Sequence, residues 1–557
     1  MRAAWWRVAK QGHTTAAMHS TSTNAGVVMA GTPLANKIAS TSNPVSMRHI
    51  ALISEHASPL AAIDSTDTGG QNVYVAHLAR QLADAGYKVD IYTRRDHADQ
   101  ASIVDWLTNV RVIQIPIGPA CFLGKERLLT LMDRFARFML QMIRQQGLHY
   151  DLMHANSFMS GIVARQLRTA LGIPFVITFH ALGRVRRLHQ GSGDEFPDCR
   201  CAIEAQLMQQ ADCVIAECEQ DRDDMLQLYA ADVARIDIVT CGFDPDEMWP
   251  VTVSARQYLG LDPNEFIVLQ LGRMVPRKGV DNVIRAIALL KQQHGIAARL
   301  LIVGGNSALP DPVLTPELGR LQALAQALDV GPAVTFIGQR PRAALRYYYS
   351  AADVFVTTPW YEPLGITPIE AMACGTPVIG AAVGGIKTTV VDCETGYLVP
   401  PHDPPTLADR LAWLASHPQT AQRFGWAGMR RAYRNFTWRE VGSRIACLYE
   451  RVIVEAAIRS AGVSNSAAPA EPHPATKMMP ATGLEFGLET ASSLDAAAAI
   501  AAVAAVTAAA FVPIADAAGR KSGAVDDSGA VGEATRIAER PVLVSTESAG
   551  RTSREAH

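Results

Sequence analysis

No run in this 557-residue chain reaches the roughly 20 consecutive strongly apolar residues that cross a bilayer. The nearest, Ala496 to Val512, is mostly alanine, so stable membrane insertion is not expected. Charge of one sign is also missing. Lys plus Arg number 51 against 53 Asp plus Glu, which removes the basic field that a nucleic-acid partner needs. No G-x-G-x-x-G follows an apolar run, which speaks against a nicotinamide-dependent oxidoreductase. Among nine cysteines the only close pair, Cys199 and Cys201, lacks the second Cys or His pair of a zinc site. Free thiols in a reducing compartment are the expectation, and without an apolar signal core at the N terminus the expected location is cytoplasmic.

The two ends differ from the middle. Residues 1–46 carry Arg2, Arg7, Lys10 and Lys37 but no acid, which suits a transit peptide or an over-extended reading frame, because "MRHIALIS" from Met47 reads as the start of a core strand. Residues 461–557 shift to Ala, Ser, Pro, Gly and Thr, a composition that buries too little apolar surface to offset its ordering entropy. Both ends are expected to be disordered tails.

Between them apolar runs alternate with helical patterns. "HIALIS", "KVDIYT", "VRVIQIP", "DLMHA", "PFVITFH", "CVIAEC" and "IDIVTCG" are separated by helices, among them one from about Glu126 to Gln146 and one from about Ala202. After "GFDPDEMWP" the pattern restarts with "EFIVLQLGR", "ARLLIVGG", "AVTFIG", "VFVTTP", "PVIGAAVG" and "GYLVP", with helices expected at Val280 to about Gln293, Pro316 to Leu328 and Pro341 to Ser350. Such alternation implies crossover units and parallel sheets. The expected fold is α/β, with two Rossmann-like domains over 47–245 and 246–435 and a further helix over 436–460. Ligands bind at the carboxyl ends of strands in doubly wound sheets, so two such domains would face each other across a cleft.

Chemistry-bearing residues fall on the loops after the strands. "STDTGGQNVYV" puts Gly69 and Gly70 before a helix with apolar positions at Val73, Ala76 and Ala79. Paired glycines serve either a tight turn or the close approach of a foreign group. "LGRMVPRKGV" places Arg273 and Lys278 beside Gly272 and Gly279, which makes either a solvated basic turn or a diphosphate receptor. In "WYEPLGITPIEAMACGTPVI", Glu362 precedes Glu370 by eight positions, and the amides of Gly365, Ile366 and Thr367 open a helix where an anion can bind. "TPIE" also reads as a capping box, with Thr367 as N-cap and Glu370 at its third position.

Taken together, "DTGGQNVYV", "HALGR", "GRMVPRKG" and "EPLGITPIE" resemble the retaining GT-B glycosyltransferases of family 4, the group that contains sucrose-phosphate synthase and the inositol-phosphate glycosyltransferase of mycothiol synthesis. The resemblance covers about Met47 to Ser460. It implies an acceptor domain followed by a nucleotide-sugar domain, with the 436–460 helix crossing back to the first. It implies that Arg273 and Lys278 hold the diphosphate, that Glu370 bonds the ribose hydroxyls, and that Glu362 lies near the donor sugar. The amides of Gly365, Ile366 and Thr367 would contact sugar and phosphate, Arg340 would lie beside the nucleobase, and His180 near the anomeric centre. Gly69 and Gly70 would let the backbone approach acceptor and donor phosphate. The implied reaction uses no cofactor and no metal. Its partners are a nucleotide-sugar and a small-molecule acceptor, with homodimerisation left open.

For the acceptor, Asn72, Lys125 and Arg200 match the inositol-phosphate pattern and suit an anion. Ser157 and Ala181 depart from it, standing where a tyrosine and a threonine are expected. Fructose 6-phosphate is therefore the alternative acceptor. A nucleotide-sugar-binding protein without transferase activity is the alternative of a different class.

Overall fold

In the computed structural model the described residues are 47–60, 70–251 and 254–465. The expected strands are all present, and they form two sheets. The first contains β1 (His49–Ile53), β2 (Lys88–Arg94), β3 (Ile103–Leu107), β4 (Val110–Ile115), β5 (Leu152–Asn156), β6 (Phe175–Thr178), β7 (Cys213–Ala216) and β8 (Ile236–Ile238) in the order 3-4-2-1-5-6-7-8. All neighbours are parallel except β3, which runs antiparallel to β4 along the edge. The second sheet contains β9 (Ile267–Leu271), β10 (Arg299–Val303), β11 (Val334–Gly338), β12 (Val354–Thr357), β13 (Val378–Ala381) and β14 (Gly396–Val399) in the order 11-10-9-12-13-14, all parallel.

Most of these strands are apolar runs because helices cover both faces. One core lies between the first sheet and helices carrying Phe135, Met139, Ile162 and Leu207. Another lies under the second sheet around Ile284, Ile302 and Leu407. The third runs through both domains, from Ile50, Leu78 and Leu82 past Trp438 and Tyr449 to Phe355 and Ile369.

The closing helix, Trp438–Asn465, lies along the first domain. Trp438 stacks on His77 with centroids 5.1 Å apart, Tyr449 Oη is 2.6 Å from His154 Nδ1, and Arg48 bonds Glu450 at 3.3 Å. This helix runs five residues beyond 460, where the compositional shift had placed a tail. Residues 1–46, and those from 466 onward, lie outside the described residues, as does Gly69.

Other expectations are corrected by packing. The helix expected from Glu126 starts at Met132 and is preceded by two short 3-10 turns at Lys125–Arg127 and Leu129–Leu131. The helix after the paired glycines, Gly70–Asp84, buries Tyr74, Val75, Leu78, Ala79 and Leu82, whereas Val73 and Ala76 are only partly covered. It is enclosed by the sheet on one side and the closing helix on the other, which shifts and widens its apolar face.

The topology fixes where ligands can sit. Strand order reverses at β1/β5 in the first sheet and at β9/β12 in the second, and a crevice opens beyond the carboxyl ends of the strands at such points.

Candidate active site

The cavity between the two sheets has a volume of about 320 Å³ and takes residues from both domains. From the second domain come Arg273 and Lys278 after β9, Glu362 after β12, and Ile366, Thr367 and Glu370 from the Ile366–Ala373 helix. From the first come Gly70, Asn72, Lys125, His180 and Arg200. Lys125 and Arg200 share their region with Arg186 and His56, neither of which the sequence singled out.

The loop after β9 is held tightly. Pro276–Lys278 makes one 3-10 turn, and Gly279 follows at φ 64, in the left-handed region. A Cβ at Gly279 would lie 2.0 Å from the Thr358 carbonyl oxygen, so only glycine allows this loop to dock on the one after β12. Lys278 Nζ reaches Glu362 across that junction. Burial pushes the ammonium down to about 8, with the carboxylate opposing the shift. Burial works against the Glu362 charge too, but Lys278 and then Arg277 hold that carboxyl below its usual range.

The Glu362 loop is braced from beneath by "VGG". Gly385 N–H donates to the Glu362 carbonyl at 2.8 Å, and a Cβ on Gly384 would sit 2.2 Å from the same oxygen. Gly365 supports this packing and does not line the cavity. It caps the Ile366–Ala373 helix at φ 66, and its Cβ would meet the Gly385 backbone at 3.1 Å. The capping box is absent, because the helix begins at Ile366 and Thr367 is already inside it. The Glu370 carboxylate turns toward the cavity wall, where Tyr349 Oη donates to it at 2.9 Å and Arg342 pairs with it at 2.7 Å.

Arg342 was not legible in the sequence. It lines the cavity and also bonds Glu247, in the segment that joins the two domains. Arg340, two residues earlier, does not line the cavity. Its guanidinium stays on Tyr348 Oη and on the carbonyls of Ala308 and Gln339. Gly70 begins its helix, and the space a Cβ there would fill is met by the side chains of Leu364 at 2.9 Å and Ile366 at 3.4 Å. In this arrangement the missing side chain lets the two domains approach each other.

His180 stands two residues beyond β6 in the left-handed region, at φ 59, and its ring is buried. Arg200 is buried between Phe158 and Phe196 and is matched by Glu204 at 2.7 Å. Ser157 N-caps the Phe158–Leu171 helix, and its hydroxyl donates to buried Glu55 at 2.8 Å. Among the described residues one set, His77, Asp244 and Glu247, is close enough to hold a metal ion, but its carboxylates are already matched by Arg80 and Arg342.

Two Rossmann-like domains facing a shared cavity at the carboxyl ends of both sheets form the GT-B architecture. Residues 68–247 match the family described as Glycosyltransferase Family 4 and residues 254–431 that described as Glycosyl transferases group 1. The D-inositol 3-phosphate glycosyltransferase of Corynebacterium efficiens is 36% identical over 406 residues, 72% of this chain and 94% of that protein. The sucrose-phosphate synthase structure of Thermosynechococcus elongatus superposes with a TM-score of 0.67 at 34% identity, covering 73% of this chain and all of that one. Anabaena HepE in complex with UDP-glucose shares the fold, with a TM-score of 0.56 at 20% identity over 72% of this chain and 99% of that one. The chain belongs to glycosyltransferase family 4.

Proposed function

We propose that the protein moves a hexosyl group, with retention of configuration, from a UDP-linked sugar to a hydroxyl of a small phosphorylated sugar or polyol. The observation that carries this reading is the convergence in one cavity of Arg273, Lys278 and the start of the Ile366–Ala373 helix with Glu362 and Glu370, opposite Lys125, Arg200 and His180 of the other domain. Two cations and a helix N-terminus suit a leaving diphosphate and supply what a divalent ion would otherwise supply. No metal is assigned a role. Glu370 is the ribose ligand in this reading, and Glu362 stands by the donor sugar. The acceptor hydroxyl attacks on the face that the diphosphate leaves, and a leaving phosphate oxygen takes its proton.

Lys125 on the first-domain side favours an anionic acceptor, and Arg186 and Arg200 line the same wall with Asp194 and Glu204 as their carboxylate partners. A second reading, transfer to fructose 6-phosphate, is favoured by Ser157 and Ala181. The Ser157 hydroxyl is committed to Glu55, and Ala181 has none to offer, so two donors of the inositol-phosphate pattern are missing. Screening nucleotide-sugars against phosphorylated and plain acceptors by mass spectrometry, with and without EDTA, tests both. The expected result is EDTA-resistant hexosyl transfer from UDP-glucose or a close relative to a phosphorylated acceptor. Silence with every nucleotide-sugar would favour a non-catalytic binder, and loss of turnover in EDTA would remove the metal-independent route.

A further inference from the structure

The loop after β7 carries a carboxylate that neither the sequence motifs nor the reading above uses. Glu217 is 1% exposed, and its Oε1 lies 2.8 Å from Nδ1 of His180. Its other oxygen is buried without a hydrogen-bond partner among the described residues. Leaving a buried acceptor unmatched costs about 1–3 kcal/mol, so packing alone would select a neutral residue here.

His180 needs such a partner. A non-glycine residue in the left-handed region stores about 1–2 kcal/mol and persists only where its surroundings fix it. Its ring is held by three elements: Glu217 after β7, Asn156 Oδ1 at the end of β5 at 3.3 Å, and the ring of Tyr74 from the Gly70–Asp84 helix, edge-on at 4.9 Å. The Asn156 amide nitrogen is directed to the carbonyls of Ile53 and His154, which turns its oxygen toward the imidazole. Behind Glu217, the Asp221 side chain accepts the Glu217 backbone N–H at 3.0 Å. Burial, then the charge of Glu217, pushes the Asp221 carboxyl up to about 8, so at neutral pH it adds no second negative charge.

We propose that Glu217 is a positioning residue for the transfer step: its carboxylate accepts the Nδ1 proton of His180 and, with Asn156 Oδ1 facing Nε2, fixes the attitude of that imidazole at the cavity wall. A carboxylate on one ring nitrogen commonly sets what the other can do. The inference rests on the transferase reading of the cavity, because it assigns Glu217 a part in turnover.

The test uses the full chain, labelled with ¹⁵N. Long-range ¹H–¹⁵N spectra report which ring nitrogens of His180 carry a proton, assigned by the signal that His180→Ala removes. The wild type is expected to carry the proton on Nδ1, and an unprotonated Nδ1 would overturn the proposal even if every Glu217 variant failed to fold. Glu217→Gln is expected to lower kcat by about 10- to 100-fold. Its UDP affinity and its KM for the nucleotide-sugar should stay within about twofold of wild type. An unchanged kcat, or a UDP affinity that falls in step with kcat, would show a structural role only and overturn it. Silence of the wild type with every nucleotide-sugar would instead sink the transferase reading, and the spectra would then decide the Glu217–His180 bond alone.

Discussion

The Lys278 ammonium and the Glu362 carboxylate meet across two loops of the second domain, one after β9 and one after β12. Each offsets the other's burial, and Lys278 is nonetheless pushed down to about 8 by burial against the pull of Glu362. A bound diphosphate would favour the charged ammonium again. Nucleotide binding is therefore expected to take up a proton when the pH is above about 8, and UDP affinity should be level below that value and decline above it. Calorimetry at pH 8.5 in two buffers of different ionisation enthalpy measures the uptake. Equal heats in both would place the Lys278 ammonium outside the binding event.

Substitutions in the cavity should separate binding from transfer. Lys278→Ala and Glu370→Ala each remove a charge-assisted hydrogen bond worth about 1.5–3 kcal/mol, which corresponds to roughly 10- to 100-fold in Kd for UDP. His180→Ala should leave that Kd nearly unchanged and slow turnover. Titrating UDP into the three variants decides the matter, and unchanged affinity in the first two would count against the donor assignment.

Arg342 bridges Glu370 in the second domain and Glu247 in the connecting segment. Burial pushes its guanidinium down, but the two carboxylates outweigh that and hold it above its ordinary value. Arg342→Ala leaves both acids without their cation, and breaking such a pair costs about 3–5 kcal/mol. Thermal unfolding should show a clear loss of stability, and adding Glu247→Gln should recover part of it. Additive losses in the double variant would mean that the two side chains do not interact.

The parallel strands were legible because each is an apolar run bounded by turn residues. β3 was missed because "IVDWL" lies at an edge, partly exposed, and lacks such a run. The Gly183–Gln190 helix was missed because three of its eight residues are arginine and it fully buries only Gly183. Glycine loops and the eight-residue spacing of Glu362 and Glu370 marked the nucleotide side of the cavity. Glu55, Glu217 and Arg342 left no such mark. A buried charge takes its meaning from a partner distant in sequence: 102 residues separate Glu55 from Ser157, and 37 separate Glu217 from His180. The same gap explains Arg340 and Arg342, which flank Pro341, because only the fold shows that the second one lines the cavity.

Gly279 tests how far the Lys278 loop depends on its backbone. Alanine there must adopt φ 64 and place a methyl group 2.0 Å from the Thr358 oxygen, a backbone atom that cannot turn aside. The left-handed strain alone is about 1–2 kcal/mol. Gly279→Ala should therefore displace the loop and weaken UDP binding by at least about tenfold. Gly295, also left-handed but with open space around its Cβ, is the control: Gly295→Ala should cost stability and leave UDP affinity intact. Equal effects on affinity at both positions would argue against the docking role of Gly279.

Asp221 gives a stability prediction with a definite sign. Its folded-state value is raised to about 8 from 3.8, mainly by burial and then by Glu217. A raised carboxyl contributes stability that is fully present below about 4, where the folded and unfolded forms both hold the proton. That contribution is lost as the pH climbs toward 8, because the unfolded chain has released its proton and the folded one has not. Asp221→Asn removes the ionisation and keeps an oxygen to accept the Glu217 backbone N–H. The variant should be more stable than wild type by roughly 1–3 kcal/mol near pH 7, after allowing for burial of the new amide. The gain should shrink when unfolding is measured at pH 5. A difference that stayed constant between pH 5 and pH 8 would mean that Asp221 does not titrate in this range.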